Sequence, residues 1–133
     1  MGRKIMALFA GIATGLLVIL ILRVINISYF PFPDNLTWKD SSDMATYFTN
    51  LPDKAFILYI FSHAIGAFLA GLISSLVSQK NRFTIGIIAG FFIFVFVFII
   101  NFTYDFPRLF LMVDILATAI AGFTGAILGN KKN

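Results

Sequence analysis

Apolar residues fall along this chain in four long runs separated by polar breaks, at 5–27, 55–78, 83–102 and 108–128. A helix rising 1.5 Å per residue needs about 20 mostly apolar residues to cross the hydrocarbon of a bilayer, so each run is long enough for one span. Runs this uniformly apolar can only be helices in lipid, because an open strand would leave its backbone groups unpaired there. The first run follows a basic start, "MGRK", as a secretory signal does. It exceeds the roughly 7–15 residues of a signal core, however, and lacks an A-x-A-like cleavage site, so it is expected to be a retained helix.

The one sizeable connection, 28–54, breaks the pattern. Its opening "SYFPFPDNL" cannot be regular helix, since Pro31 and Pro33 push the residues before them toward extended backbone. The following "DSSDMATYFTNL" puts Met44, Tyr47, Phe48 and Leu51 on one face and predicts a short amphipathic helix over about 42–51. Ser42 or Asp43 would be its N-cap, and Pro52 suits the first turn of the next helix. Trp38 and the tyrosines read as interfacial anchors, which makes the loop a structural cap rather than a ligand-binding lid. The N-x-[ST] triplets at Asn26, Asn35 and Asn101 carry no weight, being common by chance.

Composition agrees with the pattern: 59% apolar residues, 12% charged and a mean hydropathy of +0.94 belong to an integral membrane protein. At 133 residues there is room for one transmembrane domain and no separate soluble one. The absence of cysteine excludes disulfides, thiolate catalysis and Cys-ligated metal or iron–sulfur centres. A net charge of +4 could suggest nucleic acid, but most of the basic residues flank the apolar runs, which points to membrane anchoring and no nucleic-acid partner. Arg3, Lys4, Lys80, Arg82, Lys131 and Lys132 fall on one side. Lys39, Lys54 and Arg108 fall on the other, diluted by Asp34, Asp40, Asp43, Asp53 and Asp105. The positive-inside rule then places both termini in the cytoplasm.

The chain also resembles itself. With Gly11 laid on Gly86, Gly15 falls on Gly90, Asn26 on Asn101 and Tyr29 on Tyr104. With Ala70 laid on Ala121, Gly71 falls on Gly122, Lys80 on Lys131 and His63 on Asp114. The expected architecture is therefore an all-α membrane protein, a four-helix transmembrane bundle made of two hairpin repeats related by a pseudo-two-fold axis along the membrane normal. Small residues mark helix contacts in membranes, so Gly11, Gly15, Gly66, Gly71, Gly86, Gly90, Gly122 and Gly125 are the candidate packing positions.

Ionisable residues inside the spans are functional candidates by default. His63, the chain's one histidine, shares its helical face with Gly66, Ala67, Ala70, Gly71 and Ser74, and Asp114 shares its face with Ala117, Ala121 and Gly125. Both should point into the bundle and meet, directly or through one water. Arg23, near the outer end of the first span, either snorkels to the interface or completes a buried polar cluster with Asp114 and His63. No catalytic residue, cofactor or metal is expected. Ser62 lies about 100° around the helix from His63, and a single histidine offers neither bis-His haem ligation within one chain nor a zinc ligand set. A structural or accessory role in the membrane is the preferred reading, and a proton-coupled small-solute transporter or channel using His63 and Asp114 is the alternative. Expected partners are the lipid bilayer and, within it, further copies of the chain or other membrane proteins.

Small multidrug exporters have a similar length and span number but rely on a glutamate in helix one, and this chain has no glutamate. The Gly-rich signature of fluoride channels is also missing. The residues "YFPFPDNL", "SSDMATYFTNLP", "GAFLAG" and "SQKNR" resemble an uncharacterised family of small bacterial four-helix integral membrane proteins, with a Tyr-Pro-x-Pro-like loop start and Leu-Pro before helix two. Phe30 is an extra residue in that pattern, and "YDFP" stands in place of an Ile-Pro-His-Pro-like stretch. The resemblance implies the same topology in a bacterial cytoplasmic membrane, and it supplies no activity.

Overall fold

Five helices follow one another in the computed structural model, which describes residues 1–104 and 106–131: α1 (Gly2–Tyr29), α2 (Ser41–Asn50), α3 (Asp53–Val77), α4 (Arg82–Thr103) and α5 (Arg108–Asn130). The charges of Asp105 and Lys132, used above for orientation, lie outside the described residues. Among the described residues there is no strand, and α1, α3, α4 and α5 are long and apolar enough to cross a membrane. The protein is thus a helical membrane bundle with one short extra helix. Helices α1, α4 and α5 extend the expected spans by one to three residues at one or both ends, and α3 begins two residues earlier than expected and ends one residue earlier, at Val77.

Helices α3 and α4 each pack closely against all three other long helices, α3 with the more extensive contacts, whereas the α1 and α5 backbones do not approach one another. This arrangement follows from the small residues of α3, which allow close approach on several sides. Against α1, Gly15 and Gly66 face one another, and a Cβ on Gly15 would stand 2.6 Å from the Gly66 carbonyl oxygen. Against α5, a Cβ on Gly71 would stand 2.5 Å from the Gly122 carbonyl oxygen. Hydroxyls add hydrogen bonds between helices: Ser74 Oγ donates to the Ala7 carbonyl at 2.9 Å, and Ser75 Oγ lies 3.2 Å from the Ala126 carbonyl.

Burial follows the offsets read from the sequence. The seven buried residues of α5 (Phe110, Asp114, Thr118, Gly122, Gly125, Ala126 and Gly129) correspond to Tyr59, His63, Ala67, Gly71, Ser74, Ser75 and Ser78, which are all buried as well. The contacts nevertheless differ between the halves. A strict two-fold between hairpins would match the α3–α4 contact with one between α1 and α5, and that second contact does not exist. Helix α3 buries further positions besides these: Gly66 and Ala70 face α1 at Gly15 and Gly11, and Phe56 packs against Phe106 and Phe110.

The loop before α3 forms a cap. Asp40, not Ser42 or Asp43, is the N-cap of α2: its Oδ1 accepts from the Ser42 amide at 2.8 Å and the Ser42 hydroxyl at 2.7 Å. Asp43 instead accepts from the Thr37 amide at 2.9 Å, tying the preceding turn to the helix. These bonds hold the Asp40 carboxyl below its ordinary value of 3.8, the Ser42 hydroxyl contributing most. Pro52 sits one residue earlier than expected, as the N-cap of α3. Met44, Tyr47 and Phe48 are buried as the amphipathic pattern predicts, while Leu51 is half-buried just beyond the helix end. Helix α2 reaches the bundle through side chains alone, with the Phe48 ring centred 4.4 Å from that of Phe106 and tilted by 52°, in an aromatic layer that includes Phe56, Tyr59 and Phe110. Trp38 lies 4.0 Å over Phe32 and stays half-exposed, as an interfacial anchor does.

Candidate functional site

Between the aromatic cap and the apolar layer of Ile19, Ala67, Ala70, Ala89, Ile93 and Val97 lies a polar level. His63 reaches it from α3, one turn below Tyr59 and one above Ala67; Asp114 reaches it from α5, between Phe110 and Thr118. Counted along the helices, His63 is about 15 Å from the start of α3 and Asp114 about 9 Å from the start of α5. They meet because α3 begins further out, at the charged pair Asp53 and Lys54. The glycine contact of Gly71 with Gly122 brings the two backbones close enough for the side chains to bridge the remaining gap.

The imidazole Nδ1 of His63 stands 2.8 Å from Asp114 Oδ2 and 3.0 Å from Oδ1. Both carboxylate oxygens lie within hydrogen-bond distance of Nδ1, and with the carboxylate as acceptor Nδ1–H is the donor, shared between them. A third helix joins: Asn101 Nδ2, on α4, donates to Asp114 Oδ2 at 2.6 Å. Asp114 and Asn101 have no exposed surface, and His63 retains 4%. Two donors from two neighbouring helices therefore converge on one buried carboxylate. That is the arrangement by which a charge survives away from water, since leaving it unpaired would cost several kcal/mol. Satisfaction is incomplete around the carboxylate. Asn101 Oδ1 and, one turn further along α5, Thr118 Oγ1 are buried without a hydrogen-bond partner.

Arg23 does not belong to this group. It is half-buried on α1 and forms no ion pair with Asp114. The reason is topological: the α1 and α5 backbones do not approach one another, and α3 and α4 stand between them. Asn101 takes the place that Arg23 was expected to fill. The sequence carried a signal for it, as an uncharged polar residue within a phenylalanine-rich span whose helical spacing continues the buried positions Ile93 and Val97. Ser62 is buried too, but its hydroxyl donates to the Tyr59 carbonyl at 2.7 Å, away from His63. All eight glycines singled out as packing positions lie buried in helix contacts, and Gly129, outside that set, packs against Leu72 and Ser75 in the same way.

A family profile described as "Protein of unknown function (DUF3792)" matches residues 42–129, about two-thirds of the chain. The chain belongs to the DUF3792 family. The DUF3792 segment runs from α2 through most of α5 and so contains His63, Asn101 and Asp114. Helix α1 and the "YFPFPDNL" stretch precede it. No curated protein and no solved structure matches the chain.

Proposed function

We propose that this DUF3792 protein is a structural or accessory component of a bacterial cytoplasmic membrane, with both termini on the cytoplasmic side and no catalytic activity. One observation carries the reading: the chain's single imidazole and its single carboxylate on α5 are spent on each other inside a closed core, with Asn101 as the second donor. A nucleophile–base pair is not formed there, since the Ser62 hydroxyl is engaged by the Tyr59 carbonyl. In this reading the polar group fixes which faces of α3, α4 and α5 meet, a role that apolar packing alone performs poorly when lipid is as apolar as the core. The two hairpins are taken as repeats sharing one buried pattern, with α3 placed centrally. Partners would be other membrane proteins or further copies of the chain, bound through the lipid-facing surfaces.

A second reading, proton-coupled movement of a small solute, draws support from the unpartnered acceptors Asn101 Oδ1 and Thr118 Oγ1 near the carboxylate, where a water or a migrating proton could be held. Reconstitution into proteoliposomes containing a pH-sensitive dye separates the two. Under the structural reading the wild type dissipates an imposed pH gradient no faster than empty vesicles, and Asp114→Asn changes only stability. A gradient collapse that Asp114→Asn abolishes would replace it with the transport reading.

A further inference from the structure

Arg23 is left without a partner by the fold. It lies six residues before the end of α1, about 9 Å along the helix from its outer terminus, and forms neither a hydrogen bond nor an ion pair among the described residues. It lines a groove of about 250 Å³ between α1 and α4, together with Leu16, Ile19, Leu20, Phe96 and Ile100. This is where the bundle is most open, as α1 and α4 have the sparsest contact of any touching helix pair. The groove runs along the spans, so bilayer lipid is what it meets.

We propose that the α1–α4 groove is a binding site for an anionic phospholipid, with one acyl chain lying along Leu16, Ile19, Leu20, Phe96 and Ile100 and the phosphate held by the Arg23 guanidinium. The charge sits toward the outer end of the groove, level with the stretch between Phe96 and Ile100, where a phospholipid's phosphate would be, and Leu20, Ile19 and Leu16 extend inward from it, where its chain would be. The guanidinium fork matches two phosphate oxygens at once, in a region where water competes weakly. Among the described residues no carboxylate lines the groove to receive the ammonium of a zwitterionic headgroup, so net negative lipid is favoured. Burial pushes the Tyr47 phenol up to about 12, the neighbouring Tyr59 adds to the rise, and the Arg23 charge opposes it. Arg23 is therefore electrostatically within range of the outer cap. Snorkelling alone would use the same side chain but would need no groove and show no chain preference.

The test is native mass spectrometry of the full chain released from nanodiscs containing equal phosphatidylglycerol and phosphatidylcholine. The wild type should retain phosphatidylglycerol at least ten-fold over phosphatidylcholine, and R23Q should remove that preference while R23K keeps part of it. Leu20→Trp, which fills the groove and leaves the guanidinium in place, should also lower phosphatidylglycerol retention several-fold. Should R23Q fail to fold, the salt dependence of the wild type decides, since a phosphate contact near the interface weakens as ionic strength rises. Equal retention of the two lipids, or retention unchanged in R23Q, would overturn the site. Loss in R23Q with full retention in Leu20→Trp would overturn the groove and leave only a charged anchor.

Discussion

Removing either half of the His63–Asp114 pair tests the buried polar group through its energetic coupling. Asp114→Ala strands two buried donors, His63 Nδ1 and Asn101 Nδ2, whereas His63→Ala leaves the carboxylate with Asn101 still attached. An orphaned buried donor costs about 1–3 kcal/mol, and loss of a hydrogen bond to a charged group about 1.5–3. Membrane proteins lie at the low end of such ranges, because helices separated within lipid find other partners; measured side-chain bonds there average about 0.6 kcal/mol and reach about 1.7. Asp114→Ala should therefore lower stability by about 2–3 kcal/mol and His63→Ala by about 1–2, the order being set by the number of stranded groups. The double variant should cost less than the sum by about 1–2 kcal/mol, near the top of the membrane range because the bond is charge-assisted and shared by both oxygens. Reversible unfolding in mixed micelles with increasing dodecyl sulfate would measure all four proteins. Ser74→Ala provides the control: Ser74 is eleven residues from His63, about 16 Å along α3, and bonds to α1, so its loss should add to that of Asp114→Ala within about 0.5 kcal/mol. A His63–Asp114 coupling no larger than that of the control would refute the reasoning.

Three further outcomes follow from the geometry. Thr118→Val replaces a buried hydroxyl that has no partner with a methyl of the same shape, and should stabilise the protein by up to about 1 kcal/mol in the same unfolding assay; a loss instead would mean that the hydroxyl binds a buried water. Gly125→Ala drives a Cβ into the Phe68 backbone carbonyl, which cannot swing away, and should cost about 1–3 kcal/mol. Gly90→Ala meets Gly122 Cα at 3.1 Å and should cost less, since a small shift relieves it and alanine is the better helix former; a reversed order would show that the α3–α5 spacing is not the tight one. The protection of the first-turn amides of α2 against hydrogen exchange, taken relative to the intrinsic rate at each pH, should be steady from pH 8 down to about pH 4. The Asp40 carboxyl is depressed in the folded chain, so its capping contribution is complete above the unfolded value of 3.8 and is lost only as pH falls through the folded one. Asp40→Ala should show the weakened protection at every pH, and protection that instead fades between pH 7 and 5 would assign the cap to another group.

Chain pattern alone determined the class, the four spans and the amphipathic cap, because those depend on local quantities. An apolar run of sufficient length has one low-energy form in lipid, and the spacing of Met44, Tyr47 and Phe48 is a property of the helix itself. The meeting of His63 with Asp114 was legible for a related reason: both stand among small residues, and a charge in a membrane interior must find a partner. The N-cap of α2 was less legible, since Asp40, Ser42 and Asp43 are all competent and only the fold of the preceding turn, with Asp43 held by Thr37, leaves Asp40 to the helix. Which third residue joins the carboxylate was not a local matter at all. Arg23 and Asn101 were both within reach by depth, and the choice fell to the order of the helices: α3 and α4 pack against each other and against both α1 and α5, and so separate α1 from α5. Packing at glycine contacts sets that order through the summed shapes of four helices, and a sum over non-neighbouring surfaces is what a linear pattern of apolar and polar positions does not contain.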